Sequence, residues 1–184
     1  SIHLINDLNE SHIIHGINEI NNLIKWISTN GDIKSINLLY RATEDGDSCQ
    51  DFYNNCGEKG PTVSLIKTKK GRRFGGFSMA EWTDKKGIIR LFDKKAFLFS
   101  LDNMEKYNIL KPKLAICCYP DENCLVYGNN GDGQGFYLSN QFLENNYNYE
   151  CHSSRVYNVS SDYCLSEEKN FNVEEVEVYQ IIFN

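Results

Sequence analysis

Residues 74–101 read FGGFSMAEWTDKKGIIRLFDKKAFLFSL, and the reading of this stretch decides the fold. Gly75 and Gly76 sit between Phe74 and Phe77, Trp82 follows after a short spacer, and a charged turn leads to a second aromatic run. Paired glycines inside an apolar run mark a bulge or a close backbone approach in a sheet. Over residues 96–101, Phe97, Phe99 and Leu101 fall on one face and Ala96, Leu98 and Ser100 on the other. Little of that run suits water, so a central strand covered on both faces is expected. No nucleophile, base and metal ligand converge here. The stretch is a folding signal rather than a chemical one.

Working outward, residues 62–67 alternate as a strand whose hairpin partner is 74–77. Further strands are expected at 36–41, 114–119, 124–127 and 136–138, with short ones near 147–151 and 156–159. A strong terminal strand spans 174–183, with Val176, Val178 and Ile182 inward and Glu175 and Glu177 outward. Isoleucines at 13, 17, 20, 24 and 27 alternate spacings of four and three, which predicts one long helix over 13–27, stopped by Asn30-Gly31. Ser48 and Asp51 predict a capping box that opens a short helix, with Phe52, Tyr53 and Cys56 facing inward. About eight strands, mostly hairpin-connected, give a mainly β fold (α+β by count). The expected architecture is a two-sheet antiparallel β-sandwich with one long N-terminal helix and one or two short flanking helices. No composition break marks a second unit. A single domain over 1–184 is expected, with 1–35 as a leading helical segment and 36–184 as the sandwich core.

The chain of 184 residues carries a net charge of −6, which argues against a nucleic-acid footprint, since that needs a basic face. The basic runs at 67–73 and Lys85-Lys86 read as solvated hairpin turns. No apolar stretch approaches the ~20 residues needed to cross a bilayer, and no signal peptide is apparent. The chain opens on Ser1 rather than Met, so excision from a longer protein or a removed tag is expected. A cytoplasmic protein, monomeric as an isolated domain, fits these features.

Seven cysteines without a CxxC spacing point to reduced, buried thiols, with a redox-active thiol as the alternative. His12 and His15 could share a helix face but lack a further ligand for zinc. Asp45-x-Asp47 resembles the opening of a calcium loop, yet Cys49 and Gln50 stand where that loop needs an oxygen ligand and a glycine. GNNGDGQG at 128–135 lacks the lysine and hydroxyl of a phosphate-binding loop, and a flexible connection is expected there. Cys151 and His152 would point to opposite faces of a strand and cannot form a dyad. Glu174, Glu175 and Glu177 are the one carboxylate group that invites acid–base chemistry. On an alternating strand, Glu175 and Glu177 read first as a solvated face and second as an electrostatic docking edge for a partner. No catalytic residue, cofactor or metal is expected.

The blocks LLYRATEDGDSCQDFYNNCGEKGPTVSLIKTKKGRRFGGFSMAEW, KKAFLFSL, GFYLSN and NFNVEEVEVYQI, in this order from Leu38 onward, resemble the TLDc domain. That domain closes the oxidation-resistance proteins, their nuclear-receptor-coactivator relatives and some RabGAP-like proteins. The resemblance implies a sandwich of two antiparallel sheets with flanking helices and no established enzymatic activity. It implies a protein-interaction module that binds and regulates the vacuolar proton-pumping ATPase, recruited to membranes bearing that pump, and a link to protection against oxidative stress. Gly46, Gly75, Gly76, Trp82, Phe97, Phe99, Ser100 and Leu101 match family positions and read as fold-determining. Glu81 departs from the family pattern, where many relatives carry proline before the tryptophan. A thiol-based antioxidant acting through the cysteines is the alternative function, and a hydrolase built on surface carboxylates ranks last.

Overall fold

A computed structural model describes residues 2–128, 135–150 and 156–184. The segment 129–134 of the glycine-rich loop, and the Cys151-His152 pair, lie outside the described residues.

Two six-stranded sheets, antiparallel throughout, make the sandwich. The first contains β1 (Ile33–Arg41), β2 (Thr62–Thr68), β3 (Arg73–Ser78), β5 (Phe97–Ser100), β6 (Glu105–Asn108) and β12 (Val173–Phe183). Its order is β1-β12-β2-β3-β5-β6. The second contains β4 (Ile89–Leu91), β7 (Ile116–Tyr119), β8 (Asn123–Tyr127), β9 (Phe136–Ser139), β10 (Asn148–Glu150) and β11 (Asn170–Phe171). Its order is β11-β10-β9-β8-β7-β4. The glycine stretch thus feeds both sheets: β3 and β5 belong to the first, while β4 crosses to the edge of the second.

Period-2 alternation in β3 and β5 fills two apolar layers. Phe74 and Leu98 point between the sheets, where Phe74 meets Phe136 and Phe171 edge-on at ring-centroid distances of 5.2 and 5.5 Å. Phe77, Phe97 and Phe99 point to the opposite face, with Phe77 stacked on Phe97 at 5.1 Å. The two glycines let neighbours approach from both sides. A Cβ on Gly76 would lie 2.4 Å from the Tyr127 ring, and one on Gly75 would lie 2.7 Å from the tip of Phe99. Tyr127 uses that space to donate its hydroxyl proton to the Gly76 carbonyl at 3.0 Å, joining the sheets through their centre. Trp82, on the β3–β4 connection, is buried against Phe52 and Tyr127 and donates Nε1–H to Thr62 Oγ1 at 3.0 Å.

The outer face of the first sheet is covered by α1 (Ile2–Asn9) and α2 (Ile17–Ser28), so its central strands are buried on both sides. Residues 13–27 do not form the single long helix that their isoleucine spacing predicts. The Ser11 hydroxyl accepts the amides of Ile13 and Ile14 in a tight turn, Gly16 takes φ 82°, and helix begins only at Ile17. Ile13 and Ile14 still bury in the same apolar layer as α2, which is why the hydrophobic period continues where the helix does not. The run at 96–101 is covered on both faces as expected, but β5 lies next to the edge strand β6 rather than at the centre. At 156–159 a lone bridge, Tyr157 to Ile109, replaces the expected strand.

The cap at Ser48 forms as its spacing predicts. Ser48 Oγ accepts the Asp51 amide at 3.0 Å while Asp51 Oδ2 accepts the Ser48 amide at 3.2 Å. It opens α4 (Cys49–Cys56), whose Phe52, Tyr53 and Cys56 face inward. A one-turn helix, α3 (Ala42–Asp45), precedes it.

Candidate interaction surface

Glu175 and Glu177 are buried, which overturns their reading as a solvated, partner-facing edge. β12 lies between β1 and β2, so it has no open edge, and its glutamate face is roofed by the segment ahead of α2. Glu177 Oε2 accepts Arg41 Nε–H at 2.9 Å and the His12 amide at 3.1 Å, and Oε1 accepts the Ser11 hydroxyl. Glu175 accepts the amide of Thr43 at 3.1 Å and its hydroxyl, with His12 Nδ1 at 3.8 Å. Burial alone would lower the Arg41 pKa, but its hydrogen bond and charge pairing with Glu177 outweigh that and raise it. The two carboxylates are internal pins that fasten the N-terminal segment and the β1–α3 corner to β12.

A second ionic pin went unread in the sequence. Arg73 is buried, not part of a solvated turn; it makes a bidentate pair with Glu19 at 2.6 Å on each nitrogen and contacts Asp102 Oδ1 at 3.2 Å. It also donates to the Ile13 carbonyl at 3.0 Å. Glu19 therefore faces the sheet. Spacing carries no signal for either pin, because the partners come from elements 54 and 136 residues apart.

Ser100 and Leu101 are buried and Gly46 is half-buried. Gly46 closes α3, its amide on the Ala42 carbonyl and its own carbonyl accepting the Tyr40 hydroxyl. Ser100 Oγ accepts the Asn103 amide at 3.0 Å, and the Leu101 amide donates to the Arg73 carbonyl. The acidic residues of the calcium-like run are spent on backbone: Asp45 accepts the Arg41 amide at 2.8 Å and Asp47 the Leu143 amide at 3.1 Å. Among the described residues Cys49, Cys56, Cys117, Cys118, Cys124 and Cys164 are in no disulfide, and all six are buried. Burial pushes the Cys118 thiol up to about 11 and raises Cys56 and Cys124 as well. Such thiols stay protonated and are poor nucleophiles.

The surface that stands out lies at β4. Among the described residues this strand pairs with β7 and stands at the end of the second sheet. Ile88 and Phe92, flanking it, are 44% and 62% exposed, and Leu110 is 55% exposed. The Asp93 amide donates to the Pro112 carbonyl at 2.9 Å, which brings the 3-10 turn Pro112–Leu114 beside Phe92. Phe92, Pro112 and Leu114 line an apolar groove of about 530 Å³ with the stems of Lys111 and Lys113. On the other side, Trp82, Thr83, Ile89 and Leu91 line a second cleft of about 530 Å³, with Glu58, Glu81 and Lys85 at its rim. Lys85, Lys86, Lys94, Lys95, Lys111 and Lys113 are exposed around the edge, and none forms an ion pair among the described residues.

The model of the TLDc domain matches residues 8–182. The chain belongs to the TLDc family. Within it, 64 residues, 35% of the chain, are 38% identical to the MTOR-associated protein MEAK7 of Danio rerio, and the aligned stretch spans 14% of that relative. Gly76, Trp82 and Phe97 lie in the packed interior of this sandwich. The β4 edge draws on the same stretch, at the residues between the two aromatic runs.

Proposed function

We propose that this TLDc domain is a non-catalytic protein-interaction module that binds and regulates the vacuolar proton-pumping ATPase, with a linked role in protection against oxidative stress. Family membership over residues 8–182 carries this reading. The exposed apolar groove at Phe92, lined also by Lys111 and Lys113, supports it, since exposed apolar surface framed by charge is typical of docking sites. The relative MEAK7 is named as MTOR-associated, which fits a domain that works within assemblies. The burial of six thiols and of Glu175 and Glu177 gives the thiol and carboxylate readings no support. The site of action proposed is the cytoplasmic face of pump-bearing membranes. Pull-down with purified pump, with and without nucleotide, tests the reading. Retention on the pump is expected, and no association under any nucleotide condition would count against it.

A further inference from the structure

We propose that the surface around Phe92 docks on an anionic lipid bilayer, with the Phe92 ring at the headgroup boundary and lysines against the lipid anions. The inference goes beyond pump binding and needs no pump. Stable peripheral attachment takes two signals together, a buried apolar group and basic charge. Both are present on this surface.

Phe92 and Leu110 are exposed, and the groove beside Phe92 is lined by Pro112, Leu114 and two lysines, with no acid among the described residues. Over residues 92–95 and 110–114, Lys94, Lys95, Lys111 and Lys113 are exposed, and no exposed acid accompanies them. The one carboxylate of these segments, Asp93, is buried and turned inward. Its Oδ2 accepts the Ser78 hydroxyl at 2.9 Å and the Met79 amide at 2.7 Å, and Oδ1 accepts the Lys95 amide at 2.8 Å. Only cations therefore face outward beside the apolar groups. The net charge of −6 opposes an anionic surface at long range, but physiological salt screens that field beyond about 8 Å. At contact, each lysine near an anionic leaflet strengthens binding by roughly a factor of five.

The backbone here favours lipid over a polypeptide partner. The amides of Leu110 and Lys111 both donate to the Val156 carbonyl, at 2.7 and 3.2 Å. Those of Asp93, Lys95, Leu114 and Ala115 are likewise bonded within the domain, and Pro112 has none. An extended peptide needs main-chain partners, and most amides of this surface are already taken. A bilayer interface makes no such directional demand. It accepts an apolar ring and lysine stems side by side, with the charged heads held at the headgroups.

The test is co-sedimentation of the whole chain with vesicles of phosphatidylcholine alone and with vesicles holding about 30% phosphatidylserine. Binding to the anionic vesicles is expected to be at least about tenfold tighter. Lys111→Gln with Lys113→Gln is expected to weaken it about twentyfold, and Phe92→Ser about fivefold. Thermal melts are expected to be unchanged, since these side chains are exposed. Phe92→Trp reads the location: brominated phosphatidylcholine in the anionic vesicles is expected to quench its fluorescence. Tyr147→Trp, exposed beside β10 across the second sheet, is expected to escape quenching against the same background of Trp26 and Trp82. No binding at about 1 mM anionic lipid, or equal binding to neutral vesicles, overturns the proposal. Quenching no greater at 92 than at 147 overturns it too. So does polyglutamate binding as tightly as the anionic vesicles, which would assign the lysines to an acidic protein. Vesicle binding involves no pump, so its failure leaves the pump reading standing, and failure of pump pull-down leaves the bilayer contact standing.

Discussion

Glu177 shows how a single residue can read one way in the sequence and act in another. Its carboxylate neutralises Arg41 in the interior, where removing one member of an ion pair strands the other without solvent. Glu177→Ala is therefore expected to cost about 3 kcal/mol in urea unfolding, against less than about 0.5 kcal/mol for a solvated glutamate. A cost in the lower range would return Glu177 to the surface. Glu150 makes a different prediction. Burial raises its pKa, while donation from Ser166 and Leu165 and the charge of Arg72 pull the other way without prevailing. A raised folded-state pKa means that the native protein keeps this proton after the unfolded chain has lost it. Stability from this group is then present below the ordinary value of 4.5 and lost as pH rises through the raised one. The melting temperature of Glu150→Gln relative to the parent should accordingly climb from pH below 4.5 toward neutrality. A difference that stays flat across that range would refute the assignment.

At the scale of elements, short-range signals were legible and long-range ones were not. The Ser48–Asp51 cap could be read because both partners lie within one turn. The start of α2 could not. Ile13 and Ile14 continue the hydrophobic period because the layer they enter is continuous, whereas their backbone is diverted by Ser11 and Gly16. α2 is held down by Glu19 on Arg73, and Arg73 keeps Asp102 as a second partner. Glu19→Gln should thus loosen one element rather than unfold the protein. Amide exchange in α2 is expected to quicken, with a stability loss of about 1–2 kcal/mol, while the second sheet keeps its protection. Equal acceleration in β7 and β8 would show that α2 is not a separable layer. Where β12 sits was likewise illegible. Alternation reports which residues share a face, but not that both faces are covered.

On the scale of the whole molecule, three layers decide what is available to chemistry and to partners: the N-terminal helices, the first sheet, and the second sheet with α4. The described cysteines fall within those layers. With Cys151→Ser to remove the cysteine outside the described residues, native protein is expected to react with DTNB no faster than it unfolds. Rapid labelling of any remaining thiol would revive a redox role. The candidate surface was the least legible part. Lys85, Lys86 and Phe92 read as a turn and part of an aromatic run, and Lys111 and Lys113 are far from them in the chain. Only the β4–β7 pairing and the Asp93–Pro112 contact place them on one edge.

The sequence by itself determined the sandwich class, the family and the interior role of residues 74–101, because glycine spacing, period-2 alternation and aromatic density act through near neighbours on a strand. Tertiary structure alone decided that the terminal glutamates are internal pins and that a short lysine-flanked strand ends the second sheet beside an exposed phenylalanine. Burial of a charge and exposure of a strand depend on what a distant segment covers. Here that segment is residues 2–28, which roof β12.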